Sequence, residues 1–430
     1  GGAAGASVPG ASDSVYFNSG GVGQVILDIN ITVLKLTMES SYTDTIKQNG
    51  KAITTTVNGM LLNGGTFLGS TGNIVVSGHL IIAGTNFIST SSVLTISRDY
   101  YFTSGSFIHN NGTVRFSGAA TQNTRIISGS TNFYDLLLSP SANIVYLFNT
   151  ASIFNVSHAL YLSGSYQIRI DGGTINVQGD IIHTGIISVA PAAGTIHING
   201  AGDQTITGVT NLNYGGFCNV KVNKSSGTLF LKNIINVCGV WEHVMGTVDD
   251  TTYDAEMAFS TGSATNGVKG NQTFNKLWIG TGGNSTTFTV NAGDTLTANF
   301  VHTGVYGSIT YVGYINVTGD FWLGSTGTGG GGTGTIAFTG SGNQLLTGQT
   351  LTYSQGILPN IKIDKTGGTL TLKNIISVRG NWNYIKGTVD ATTENSTIYF
   401  LNGNRTISGK HSLNNVYLSS WGSTTITMPA

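Results

Sequence analysis

The sequence predicts an all-β chain folded as a parallel β-helix, a right-handed β-solenoid with internal repeats. Three observations predict it. The composition is rich in turn-forming residues and poor in charge. Apolar residues alternate with polar ones in short segments. A long stretch of sequence recurs, in diverged form, further along the chain. The expected organisation is an N-terminal arm at residues 1–14, followed by one continuous solenoid at 15–430. Its repeat copies fall at about 194–290 and 334–428.

The composition comes first. Of 430 residues, 62 are Gly and 5 are Pro, against usual shares of about 7% and about 5%. Charged residues make up 9%, far below the typical figure of about 25%. Lys+Arg and Asp+Glu are equal at 19 each, so the formal net charge is zero. Collagen is excluded because it needs Gly at about every third position. Disorder driven by charge repulsion needs charge, and a coiled coil needs a chain dominated by Ala, Glu, Lys, Leu and Arg. Nucleic-acid binding needs a basic excess to displace counterions. No apolar run approaches the roughly 18 residues of a membrane span; the longest, such as NIVVSGHLIIAG at 73–84, is broken by Ser, Gly and His.

The local signal is β throughout. Val220/Val222, Leu229/Leu231, Val237/Gly239/Trp241, Phe288/Val290 and Ile361/Ile363 alternate with their neighbours. A period of two places one set inside and the other outside. Gly, Asn, Ser and Thr separate these segments and supply turns. No segment carries a sustained helical period.

The repeat then selects among β architectures. SSGTLFLKNIINVCGVWEHVMGTV (225–248) matches TGGTLTLKNIISVRGNWNYIKGTV (366–389) at a constant offset of 141. GTIHINGAGDQTITG (194–208) matches GTIAFTGSGNQLLTG (334–348), and FNKLWIGTGGNSTTFTV (274–290) matches LNNVYLSSWGSTTITM (413–428). Shorter echoes of the same order of parts occur at 112–139 and 395–419, and GTV or GTF recurs at Gly65, Gly112, Gly246 and Gly387. A closed barrel or sandwich has no place for a diverged copy of itself without a linker. A solenoid does, because each coil buries its inner face only against its neighbours. The composition follows from this fold. Sharp corners call for Gly, stacked strands exclude Pro, and stacked like charges repel. Outward rows are therefore expected to be Thr, Ser and Asn, bonded up the stack.

The run GTV-x-F-x-G…I-x-S-G…F-x-D-L at 112–136 resembles tandem repeats in large secreted bacterial parallel β-helix proteins, such as autotransporter passengers and filamentous-haemagglutinin-like adhesins. The opening SVPGASDSVYFNSGG (7–21) is similar to the entry segment of such arrays. The resemblance is one of pattern over nearly the whole chain. It implies fold and secretion to the cell surface or beyond, rather than an activity.

Candidate chemical sites are few. The spacing between Cys218 and Cys238 is close to one coil length, so a disulfide between adjacent coils is one reading. Against it, Cys238 aligns with Arg379, at an outward parity, and Cys218 with Pro359. Neither cysteine belongs to a metal-binding spacing. Of the eight His, His109 and His243 fall shortly before a GTV turn and His183 and His302 share an H-T-G context, as structural residues do, and HExxH is absent. Asp249 and Asp250 are paired carboxylates of the kind glycosidases use. However, Asp249 aligns with Asp390 after the recurring GTV, where an Asx turn is expected. Trp241, Trp278, Trp382, Tyr384 and Trp421 are candidates for stacking on sugars, although Trp241 and Trp382 share the inward parity. No cofactor is expected.

The function expected is structural: an extracellular subunit polymerising head to tail. The chain ends at STTITMPA, partway through the repeat, and begins with a Gly/Ala-rich arm. An open last coil would be covered by the first coil or arm of the next subunit. The assembly contacts expected are Gly1, Ala3, Val8, Trp421 and Met428. The alternatives are a surface adhesin or stalk segment that binds glycans through loops such as 261–272 or 324–334, and, third, a polysaccharide-degrading enzyme.

Overall fold

A computed structural model describes residues 7–20, 23–118, 124–185, 193–212, 214–260, 265–281, 285–304 and 307–429. Among them are 42 strands and no helix. The strands pair in parallel ladders and stack as β-solenoid coils, about 18 turns in all. Because there is no helix, there is none long and apolar enough to cross a membrane. The described prolines, Pro9, Pro140, Pro359 and Pro429, all lie outside strands, where their missing N–H breaks no ladder.

Contact density divides the chain into two units. One comprises residues 1–188, 192–206 and 224–229; the other 189–191, 207–223 and 230–430. In the first, one inner row runs through Ile74, Leu94, Val114, Leu136, Leu160 and Ile181, each paired in register with the next. The sequence spacing from one member to the next, as from Ile74 to Leu94 or from Leu136 to Leu160, is the length of one coil. All are buried. A second inner row stacks Phe67 on Phe87 on Phe107, with ring centroids 5.1 and 5.7 Å apart.

The second unit is built by the same rule. Ile235, Met257, Leu277, Val301, Phe321, Leu346 and Leu372 form one row. Ile315, Ile336, Ile361 and Trp382 form another. In both rows every side chain is at most 1% exposed. Burying each such side chain contributes roughly 1.5–3 kcal/mol, so the rows are the core that replaces a globular one. The alternating residues picked out from sequence, from Val220 to Ile363, all point into it.

One outer row is neutral and bonded up the stack, as expected, while others carry ion pairs such as Lys269–Glu242. Asn155 donates to Asn132 Oδ1 at 2.7 Å, Asn176 donates to Asn155 Oδ1 at 2.9 Å, and His197 continues the row to Asn176 at 2.9 Å. At the recurring GTV corner, Gly246 and Gly387 have φ of 108° and 113°, a region side chains avoid. Gly112 serves differently: a Cβ there would lie 2.1 Å from the Thr90 carbonyl oxygen.

Candidate functional site

The inward parity carries one charge that the alternation should forbid. Lys224 follows Val220 and Val222 on the strand Asn219–Lys232, and Lys365 follows Ile361 and Ile363 on Asn360–Lys373. Both lysines are almost wholly buried, at 1% and 2% exposure. Lys224 Nζ donates to Gly200 O (2.7 Å), Gly202 O (2.8 Å) and Gln204 Oε1 (2.7 Å). Lys365 Nζ does the same to Gly340 O (2.9 Å), Gly342 O (2.9 Å) and Gln344 Oε1 (2.6 Å). An ammonium has three donors, and all three are used. The glutamines reach on to the preceding coil: Gln204 Nε2 donates to Gly179 O, and Gln344 Nε2 to Gly319 O, each at 2.6 Å. Burial lowers the pKa of both lysines. The arrangement ties three coils together at a corner. It leaves no lone pair or proton available for chemistry.

Asp249 and Asp250 are adjacent in sequence but separated in role. Asp249 Oδ1 accepts from Thr251 N at 2.8 Å and Thr252 N at 2.9 Å, the expected Asx turn. The Thr252 and Thr251 donors hold its carboxyl down to about 2. Asp390 repeats the turn with Thr392 and Thr393, and is held lower for the same reason. Asp250 is buried and accepts from Asn275 N at 2.6 Å, and burial raises its pKa.

Four of the histidines, His109, His158, His302 and His411, contact aromatic rings. His158 stacks on Tyr134 at 4.5 Å, and His302 lies between Trp278 and Trp322 at 3.8 and 4.1 Å. Burial pushes His302 and His183 down to about 4. Trp241 and Trp382 are fully buried, as their parity requires. Trp322, not singled out from sequence, is the most exposed tryptophan among the described residues, at 47% exposure. Among the described residues no group of three His, Cys, Asp or Glu is placed to hold a metal.

Cys218 and Cys238 are buried thiols not joined to each other. They follow the in-register pair Phe217–Val237, so they do fall on adjacent coils. Cys238, which aligns with Arg379, is buried, at 2% exposure, and its Sγ lies 2.9 Å from Ser260 Oγ.

The residues expected at assembly contacts are distributed as follows. Val8 and Met428 are exposed, at 61% and 74%. Gly1, Ala3 and the side chain of Trp421 lie outside the described residues. The first described strand, Ser14–Phe17, pairs along one edge with Lys35–Met38; the last, Asn415–Thr427, pairs along one edge with Thr397–Ser408. Exposed apolar side chains accompany both: Tyr16 and Ile26 near the first, and Val416, Tyr417 and Leu418 on the last. Residues of the loop 324–334 line two clefts. No protein family, curated protein or solved structure matches the chain.

Proposed function

We propose that this chain is the structural subunit of an extracellular filament or surface fibre, extended by strand addition at its outermost coils. One observation carries the reading. Asn415–Thr427 has the same in-register parallel geometry as the strands that cover each other inside the stack, and Val416, Tyr417 and Leu418 are 44–56% exposed on it. Parallel stacked strands with exposed apolar side chains offer a template for another strand, and in this reading a second copy of the chain supplies Ser14–Phe17. The absence of net charge removes the repulsion that would keep copies apart. Secretion belongs to the same proposal and is supported by the resemblance of the repeat pattern to secreted bacterial β-helix proteins. Electron microscopy and sedimentation of the purified chain test it. Filaments or a concentration-dependent series of oligomers are expected, shortened by Tyr417→Lys together with Leu418→Lys. Monodisperse monomers at high concentration would refute it.

A further inference from the structure

Two clefts flank Arg379 in the second unit. The larger, of about 600 Å³, is lined by Arg379, Arg405, Asn360, Asn381, Asn404 and Thr310, with backbone of the 324–334 loop. The smaller, of about 280 Å³, has Tyr353, Ile357, Leu401 and Asn402 around the same Arg379. The glycine run makes this approach possible. Gly331 has a φ of 94°, and a Cβ on it would meet Arg379 Cβ at 3.1 Å.

The charges in the larger cleft are uncompensated. Arg379 Nη1 donates to Gly330 O at 3.0 Å. Arg405 donates to Asn404 O at 3.0 Å and Asn402 O at 2.6 Å. These are neutral carbonyls, and neither arginine forms an ion pair among the described residues, although other cations of the chain do. The Nε–H groups of both arginines are buried without a hydrogen-bond partner. The two guanidiniums are near enough for Arg379 to disfavour the charged form of Arg405, after the larger effect of burial. Like charges held together, with donors left over and no carboxylate among the described residues, suit an anion.

The rest of the lining says what carries that anion. A cleft of this volume is the size of a small organic ligand rather than a bare ion. Among the described residues the side-chain amides of Asn381 and Asn404 have donors with no partner: Asn381 uses its Oδ1, which accepts from Thr406 N at 3.0 Å. In the smaller cleft, on the other side of Arg379, Tyr353 is stacked on Tyr399 at 4.8 Å. Amides for hydroxyls and a guanidinium fork for a carboxylate are parts of acidic-sugar recognition. The coil itself does not need them, because the first repeat copy carries Cys238 where the second has Arg379.

We propose that the Arg379–Arg405 cleft binds a carboxylate-bearing pyranose unit of an acidic polysaccharide. The carboxylate sits on the two guanidiniums, and the ring hydroxyls on Asn381 and Asn404. This goes beyond the filament reading and does not depend on it. Isothermal titration of the full chain tests it, with galacturonate and glucuronate trisaccharides, the neutral galactose trisaccharide, and acetate. At least one uronate trisaccharide is expected to bind. Its affinity should fall at least tenfold in Arg379→Cys, the residue of the first copy, and in Arg405→Gln, with circular dichroism unchanged. Binding should weaken as salt rises. The proposal is overturned if neither uronate binds, if the neutral trisaccharide or acetate binds as tightly, or if both variants retain full affinity.

Discussion

Replacing Lys365 with Met tests whether the buried lysine clip holds coils together. Met keeps most of the side-chain volume, so little cavity is created. What is lost is three charge-assisted hydrogen bonds, to Gly340 O, Gly342 O and Gln344 Oε1. Each is worth roughly 1.5–3 kcal/mol, and each acceptor left buried without a partner costs about 1–3 kcal/mol. These are two views of one loss and do not add. Breaking a buried charged network by removing one member costs about 3–5 kcal/mol. A solenoid opens coil by coil rather than all at once, so a single melting temperature is the wrong readout. Amide hydrogen exchange is the right one. At about 1.4 kcal/mol per factor of ten, exchange around residues 336–346 and 361–372 should accelerate by roughly two to three orders of magnitude. Lys362→Met is the control on the same strand. Lys362 faces outward in an ion pair with Asp364 at 3.0 Å, and an exposed pair is worth about 0–1 kcal/mol. If Lys365→Met costs no more than Lys362→Met, the clip does not stabilise the coils as argued.

Three further predictions use the same local bookkeeping. His183 is held neutral by burial, with a pKa of about 4 against an unfolded value near 6.5. Between those values the unfolded chain binds more protons, so stability is full above about pH 6.5 and falls as pH drops toward 4. The loss is on the order of 3 kcal/mol, and urea titrations at pH 7 and 4.5 should show it shrinking in His183→Leu. The thiols of Cys218 and Cys238 are 3% and 2% exposed, and burial raises the Cys238 pKa. A thiol reagent at pH 8 should therefore titrate neither in the native protein and both in guanidinium chloride. Trp382 Nε1 donates to His411 Nε2 at 2.8 Å, whereas the equivalent Trp241 Nε1 is buried without a partner. Trp382→Phe should thus destabilise its coil by about 1–2 kcal/mol more than Trp241→Phe, measured again by hydrogen exchange.

The fold was legible because it is written in rules that repeat. Alternation at Val220/Val222 and Ile361/Ile363, Gly at the GTV corners and the constant offset of 141 are local or one-dimensional signals. In-register stacking turns them directly into rows. The Asx turns at Asp249 and Asp390 were legible for the same reason, since their donors stand just beyond them in the chain. The clips were missed although their signal was present. Lys224 and Lys365 extend the inward parity of their strands in both copies, so a charge recurs where only an apolar residue should stand. Its acceptors belong to the preceding coil, a full turn back along the chain, which no local pattern reveals. The burial of Cys238 was not legible, because exposure was inferred from its counterpart Arg379, a larger charged residue on the equivalent strand end.

The scarcity of charge gives each remaining charge diagnostic value. In a chain rich in cations, an arginine without a carboxylate partner says little. Here the charged groups in view mostly have structural work. Lys224 and Lys365 tie coils, Asp249 and Asp390 close turns, and Lys269 with Glu242 or Lys373 with Glu394 pair across neighbouring coils at 2.7 and 2.9 Å. Each placement satisfies the group within its own stack. Arg115 also lacks an ion pair among the described residues, but Arg379 and Arg405 line one cleft. They sit together, beside neutral carbonyls and with donors to spare, on a copy of the repeat whose counterpart manages with Cys238. A cost that the coil does not require is maintained only by something outside the coil. That is the ground for proposing the cleft as the place where this scaffold meets a ligand.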